Sequence, residues 1–409
     1  MTDIIVVGGG AAGMMAAIVA ARLGRRVILL EAGSKLGRKI LVSGNGRCNL
    51  TNLEGGDPRH YHGTHPRFVR PVLERFAVKD TLAFFRRLGV ECREETRGRL
   101  FPLSDQARCI VAVLEDALQQ AGVQIRTGAR VVHLEREREA FVVRSVDGER
   151  FQAPALVVAT GGCSAPQLGA DTSGLDLVES LGHERTGLMP GLVPLVSPDP
   201  HVRRMQGSRV QARVSTRTGQ RGETSDTGDL LFTSYGVSGP TVLYLSTYLV
   251  PLLAEGPRLL EIDFFPDKSP EQLSEQLKER WSANPHRTVE RSFAGWISPR
   301  VAVPLLRSLS LPGEAVVRRM TRAQRWTLAQ GLHAWPIRVT EPHSLEHAEV
   351  TIGGISTGQV DPFSLQSHLV PGLYLAGEAL DVNGDWGGFN FQWAWSSGWV
   401  AGQSAAVQP

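Results

Sequence analysis

The chain opens with four consecutive apolar residues, Ile4 to Val7, then a run of glycines, then an Ala-rich stretch from Ala11 to Leu23 that stops at Gly24. A short apolar run bounded by glycine predicts a buried strand, and the Ala-rich stretch predicts a helix. Val27 to Leu30 repeats the buried-strand pattern, which completes a βαβ unit. Farther on, Ser104 is placed to cap a helix that reaches Gln120 and stops at Gly122. Strand-like runs follow at Val123 to Ile125, Arg130 to Leu134 and Phe141 to Val146, with Asp147-Gly148 as a hairpin turn before Phe151. Ala155 to Ala159 is another continuous apolar strand, closed by Thr160-Gly161-Gly162.

From Leu192 onward the period changes to alternation. Arg209 to Arg217 is its clearest stretch, with Val210, Ala212, Val214 and Thr216 on one face. After Pro266 the period is helical: Ser269 to Gln272 reads as a capping box with Pro270 at the first helical position, and Thr321 to Gln324 repeats the box. Strand patterns resume near Val350, Leu373 to Ala376 is a buried strand followed by Gly377 and Glu378, and a helix from Asn390 to Gly402 closes the chain. There is no internal repeat and no low-complexity linker. These patterns predict an α/β protein: a split Rossmann-type domain over 1–190 and 345–409, an inserted β-barrel-like domain over 191–266 and 333–344, and a helical subdomain over 267–332.

Length supports more than one core, since 409 residues exceed an ordinary single domain. Hydrophobic residues make up 42%, and the net charge of +3 is too small to name a partner by itself. The cations are mostly Arg, which suits bidentate contact to phosphate or carboxylate and equally reflects compositional bias. Cys48, Cys92, Cys109 and Cys163 lack a pairing or zinc-type spacing, as expected in a reducing cytoplasm. No apolar run has the length of a membrane span, and Ile4 to Val7 is too short and lacks the basic flank of a signal peptide.

The glycines at Gly8-x-Gly10-x-x-Gly13 fall between the first strand and the first helix, where backbone amides and a helix N-terminus must approach a pyrophosphate. Glu31 ends the second strand, where a carboxylate accepts ribose hydroxyls and repels a 2'-phosphate. Ala159-Thr160-Gly161-Gly162 and Ala376-Gly377-Glu378 end two further buried strands, as in two-dinucleotide-binding folds that hold FAD, with Glu378 in place of the more usual Asp. Gly387-Gly388-Phe389-Asn390 puts small residues and free amides at a helix start, where the dipole stabilises negative charge on a reduced flavin ring. Trp393, Trp395 and Trp399 read as packing.

The most distinctive stretch is Gly44-Asn45-Gly46-Arg47-Cys48-Asn49-Leu50-Thr51-Asn52. With Gly236-Val237-Ser238-Gly239-Pro240, Gly353-Gly354, Ala376 to Asp381 and Gly387 to Trp395, it resembles the bacterial NAD(P)/FAD-dependent oxidoreductase family described variously as aminoacetone oxidase-like or as a bile-acid dienone reductase. The resemblance covers nearly the whole chain. It implies bound FAD and reduction of a conjugated double bond, and some members are described as forming dihydrouridine in large-subunit ribosomal RNA. Two segments depart from it: Thr233-Ser234-Tyr235 stands where Thr-His is common, and Gln366-Ser367-His368 where Glu-Ser-Lys is common. The expected cofactor contacts are Gly8, Gly10, Ala11, Ala12, Gly13, Glu31, Ala32, Lys39, Gly46, Arg47, Cys48, Asn49, Val131, Ala159, Thr160, Gly161, Gly162, Gly377, Glu378, Asp381, Gly388, Phe389 and Asn390.

Cys48 is the candidate acid, set against a reading as a small buried hydrophobe. His60, His62 and His65 lie close together without an acidic or Cys cluster and read as a polar loop, with no metal expected. Arg203, Arg204, Arg209, Arg213, Arg217 and Arg221 occupy one stretch free of acids, and Arg209, Arg213 and Arg217 share one strand face, so RNA phosphate is a candidate partner beside a solvated-face reading. A second nucleotide fingerprint is absent, which makes NAD(P)H a transient donor. The Arg47-Cys48-Asn49 loop and the insert are the expected substrate side. The leading expectation is a reductase passing hydride from NAD(P)H through FAD to an enone-like acceptor such as uracil. An oxidase of a small amine and a non-catalytic flavin module are the alternatives.

Overall fold

A computed structural model describes residues 2–217 and 222–407. Its contacts separate into two units, Met1–Met189 with Glu349–Pro409, and Pro190–Ala348.

The first unit is built on a five-stranded parallel sheet. The strand β1 (Ile4–Val7) pairs with β2 (Val27–Glu31) on one side and with Ala155–Val158 on the other, in register at Ile4↔Val27 and Ile4↔Ala155. Leu373–Leu375 extends the sheet beyond Ala155–Val158, and Gln124–Thr127 extends it beyond β2. All four residues of β1 are buried, as a central parallel strand covered on both faces requires. Helix α1 (Ala11–Arg22) crosses between β1 and β2, with ten of its residues buried. A three-stranded antiparallel meander, Val131–Glu137, Ala140–Ser145 and Arg150–Ala153, follows the sheet edge.

The closing helix runs over Phe389–Val407, longer at both ends than its glycines suggest. Two of those glycines press it onto α1: a Cβ on Gly398 would stand 2.3 Å from the Ala12 carbonyl oxygen, and one on Gly402 would stand 2.4 Å from that of Ala16. Trp393 and Trp395 are fully buried, and their indole nitrogens donate to the carbonyls of Gly377 and Leu50 at 3.0 and 2.9 Å. They pack, as their spacing suggests, and they also tie the helix to the turn after Leu373–Leu375 and to the loop before Thr51.

Ser104 does not cap the following helix. That helix begins at Ala107 after Gln106, because Asp105 is in the left-handed region at φ 51 and breaks the run.

The second unit holds a seven-stranded antiparallel sheet in the order Trp335–Val339, Arg258–Asp263, Arg209–Arg217, Glu223–Phe232, Gly236–Ser238, Leu195–Val196, Glu341–Pro342. Its two edges are halves of one extended segment broken at Thr340, so the sheet closes on itself in barrel fashion. Helices Pro270–Ala283, Pro299–Ser308 and Arg322–His333 belong to this unit, and the expected capping boxes at Ser269 and Thr321 are formed. Among the described residues, no helix is long and apolar enough to cross a membrane.

Gly398→Val is expected to lower stability by about 1–3 kcal/mol, since the added methyls would meet backbone and not a movable side chain. Urea denaturation checks this, and an unchanged midpoint would contradict the close helix contact.

Candidate functional site

Three strand ends meet on the first unit. Ala159 N donates to the Val7 carbonyl at 2.8 Å and Ala376 N to the Val158 carbonyl at 3.0 Å, so the turns after β1, after Ala155–Val158 and after Leu373–Leu375 lie side by side. They occupy the carboxyl edge of a parallel sheet, the place where open α/β folds bind ligands. Gly8 has φ +107, and a Cβ there would lie 2.3 Å from the Ala159 carbonyl oxygen; one on Gly13 would lie 1.8 Å from the carbonyl oxygen of Gly8. Above Gly10, the N-cap of α1, the Cβ position is open. No acid occupies the first turn of α1, so its dipole faces that opening uncompensated.

At one end of this edge the Glu31 carboxylate accepts from Gly9 N at 2.7 Å and from Gly33 N at 2.6 Å. Each oxygen keeps a lone pair for a ribose hydroxyl. Ala12 is buried under Gly377, Ala32 is exposed beside Glu31, and Val131 is buried at the start of the meander.

In the middle, Lys39 Nζ stands 2.8 Å from Glu378 Oε2 and donates to Ser164 Oγ at 2.8 Å. Glu378 Oε1 also accepts from Ser164 Oγ at 3.1 Å and from Thr351 N at 2.8 Å. Thr351 Oγ1 in turn accepts from Cys163 N and Ser164 N at 2.9 and 3.0 Å. Burial would raise the Glu378 carboxyl, but the Lys39 ammonium and the Thr351 hydrogen bonds hold it below its usual value. Ser164 and Thr351 carry no local sequence signal, because their role comes only from meeting Glu378 across the sheet edge.

At the far end, Gly387 and Gly388 have φ values of 123 and 107 and lead into the closing helix. Asn390 braces the turn, accepting from Gly384 N and donating to Gly384 O, both at 2.8 Å. Asn52 Nδ2 donates to Gly387 O at 2.9 Å. A Cβ on Gly388 would stand 2.6 Å from the Thr51 backbone and 3.0 Å from Asn49 Oδ1. Asn49 Oδ1 and Asn383 Nδ2 are buried without a protein partner, an acceptor and a donor of the kind that a flavin's polar edge satisfies. The open helix start, the Glu31 carboxylate and these two atoms fit FAD. Ala11, Ala159, Thr160, Gly161 and Gly162 lie in or next to the first two of the three turns, Gly46 lies just before the Arg47–Asn49 segment, and Phe389 follows Gly388 at the start of the closing helix.

Three expectations change. Cys48 is fully buried in the apolar core at φ 63, and burial pushes its thiol up to about 12. A side chain buried with no cofactor present faces the core, which supports the reading of Cys48 as a small buried hydrophobe over that of the acid. The Arg47 guanidinium is turned to Glu95, 2.7 Å away, and lies 4.2 Å over the Phe101 ring, which leaves the loop its backbone for cofactor contact. The Asp381 carboxylate is spent on the backbone N of Thr64 at 2.9 Å and on the Thr64 hydroxyl, and so anchors a neighbouring turn.

The three histidines do not converge. His60 and His62 both meet Asp385, while His65 meets Thr357 Oγ1 at 3.1 Å. Among the described residues no group of three or more His, Cys, Asp or Glu could hold a metal. In the second unit, Arg209 pairs with Asp229 and Arg213 Nη2 lies 2.7 Å from Asp263, while Arg217 faces Glu223 across the ladder. These three, free of acids in their own stretch, meet them across strands. Arg221 lies outside the described residues.

A family model for the HI0933-like protein Rossmann domain matches residues 2–404. The chain is 37% identical over 413 residues to a 3-dehydro-bile acid delta(4,6)-reductase of Clostridium scindens, covering all of both chains. It is 35% identical over 401 residues to a ribosomal RNA dihydrouridine synthase of Escherichia coli, covering 98% of this chain and 97% of that one. A 3-ketosteroid delta1-dehydrogenase structure from Sterolibacterium denitrificans shares the fold at a TM-score of 0.53 and 14% identity, over 99% of each chain.

Because Glu378 is held below its usual 4.5, its contribution to stability is present at neutral pH and is lost as pH falls through the lowered value. Lys39→Met should cost on the order of 1–3 kcal/mol at neutral pH and start acid unfolding at a higher pH than in the wild type. Acid titration followed by circular dichroism checks this, and coincident curves would contradict it. Cys48→Ala should leave turnover unchanged in steady-state assays of flavin-replete protein.

Proposed function

The chain belongs to the HI0933-like protein Rossmann-domain family and is an oxidoreductase of the FAD-binding Rossmann type; from that premise we propose a reductase that takes hydride from NAD(P)H and saturates a carbon–carbon double bond conjugated to a carbonyl. The single observation that carries this reading is the three-turn edge. In this reading Glu31 would take an adenosine ribose, the open start of α1 the pyrophosphate, Lys39 and Glu378 the polar linker, and the Gly388 helix start with Asn49 the flavin ring; the amide-bound Glu31 carboxylate, the open Cβ position at Gly10, the Lys39–Glu378 pair and the unpartnered Asn49 Oδ1 support it. Bound FAD supplies two-electron hydride carriage between donor and acceptor.

This chain's own residues do the rest. Glu31 disfavours a 2'-phosphate at the resident site, so NADP is disfavoured there; with no second nucleotide fingerprint in the sequence, the nicotinamide donor visits and leaves. The start of the closing helix places a positive dipole end where negative charge collects in the ring. The relatives' names support the acceptor class, since one is called a delta(4,6)-reductase and uridine itself carries a double bond conjugated to a carbonyl. The four free cysteines agree with a reducing, cytoplasmic setting.

A small enone is favoured over RNA as acceptor, because Arg209 and Arg213 already answer to Asp229 and Asp263. Each acid offsets the charge that would draw a phosphate to its Arg.

Anaerobic mixing of the flavin-loaded chain tests the proposal. NAD(P)H should bleach the flavin absorbance, and cyclohexenone or androstenedione should restore it. Bleaching by a small amine, with recovery only in oxygen, would make the protein an oxidase. No bleaching by either would make it a binding module. Recovery with ribosomal RNA, sensitive to salt and to Arg213→Glu, would assign RNA as the acceptor.

A further inference from the structure

With Cys48 in the core, the reduction lacks a proton source among the residues singled out from sequence. A different cluster has the geometry. The short strand Tyr61–His62 pairs antiparallel with Asn383–Gly384, at Gly384↔Tyr61 and Asn383↔His62. This pairing brings His60 and His62 to Asp385, on the turn that leads into the closing helix. His60 Nδ1 lies 2.9 Å from Asp385 Oδ2 and His62 Nε2 lies 2.7 Å from Oδ1. Asp385 N donates to the His60 carbonyl at 2.9 Å. The carboxylate is only 2% exposed. Packing alone does not favour a buried acid held by two imidazoles, since apolar side chains of the same volume are often as stable or more so.

The two histidines present different nitrogens to the carboxylate. His62 spends Nε2 on the carboxylate. His60 spends Nδ1 and points Nε2 toward Glu54 Oε2, 3.4 Å away on a side chain that is 70% exposed. The His60 ring also stacks on Phe389, with centroids 4.3 Å apart and planes 26° apart. Phe389 is the first residue of the closing helix, directly after Gly388. One nitrogen is therefore anchored to a buried acid, the plane is fixed by stacking, and the other nitrogen is left on the open side. A carboxylate-oriented imidazole of this kind is the arrangement used for acid–base catalysis.

We infer that His60, oriented by Asp385, is the residue that protonates the acceptor, an assignment that rests on the reductase reading above. As hydride reaches the β-carbon, the π pair of the double bond moves toward the carbonyl, and the α-carbon takes the proton from His60 Nε2. The acceptor gains a hydride and a proton, which together are two electrons and two protons; the nicotinamide donor loses the hydride, and the neutral imidazole regains its proton from solvent on the Glu54 side. The charged neighbours of His60 are Asp385 from the helix turn, Glu54 and Asp57 from its own loop, and His62 across Asp385. The Asp385 hydrogen bond raises the His60 pKa against the effect of burial, so the acid form persists to higher pH than in a free imidazole.

The test separates the two half-reactions of the FAD-loaded protein anaerobically, with NAD(P)H as reductant and cyclohexenone or androstenedione as oxidant. His60→Gln should slow reoxidation by about 10²-fold relative to reduction. Asp385→Asn should move the alkaline limb of the reoxidation profile to lower pH. By NMR, the ring titration of His60 should move down in Asp385→Asn, a readout independent of turnover. Should His60→Gln lose FAD, the Asp385→Asn profile and titration decide. Wild-type reoxidation by His60→Gln, or equal slowing of both half-reactions, would overturn the assignment and leave the reductase reading standing. If neither enone reoxidises the wild-type protein, the reductase reading fails and the assignment falls with it.

Discussion

The contact between Gly8 and the Ala159 carbonyl is the constraint on which the rest of the first unit depends. A side chain on Gly8 would stand inside the neighbouring strand's backbone, and one on Gly13 would stand inside the turn itself. With both absent, α1 starts directly over the sheet edge and aims its amides there. The closing helix can then lie on α1 through Gly398 and Gly402, and its own start, held by Asn52 and Asn390, arrives at the opposite end of the same edge. Two helix starts thus face one edge from its two ends. The chain between them supplies a carboxylate at one end, an ammonium–carboxylate pair in the middle and a carboxylate–imidazole cluster near the other.

Charge along that edge follows what an FAD-shaped ligand would need. Glu31 holds two amides and keeps acceptor capacity. Lys39 neutralises Glu378, so the middle of the edge carries hydrogen-bonding groups with no net charge. Asp385 is buried, yet it is partnered by imidazoles that can carry its counter-charge. The geometry explains why Glu378, one carbon longer than the more usual Asp, is accommodated: Lys39, Ser164 and Thr351 take up the extra reach.

What was legible in the sequence was local. The βαβ unit, the strand Arg209–Arg217 and the capping boxes at Ser269 and Thr321 follow from period and cap chemistry within a few residues. What was illegible depended on contacts made across the chain. Asp385 meets His60 and His62 over 325 and 323 residues, so three histidines in a polar loop gave no sign of their acid. Cys48 stands in a motif rich in glycine and polar residues, yet its side chain is buried in the core, on a left-handed backbone that the motif alone does not announce. Arg209 and Arg213 showed no acid in their own stretch because their partners come from neighbouring strands.

Native mass spectrometry of the chain as purified tests the central claim most directly. The account expects one FAD per chain, released intact on denaturation. A chain that carries no flavin even after incubation with FAD, or one that retains FMN in preference, would contradict it.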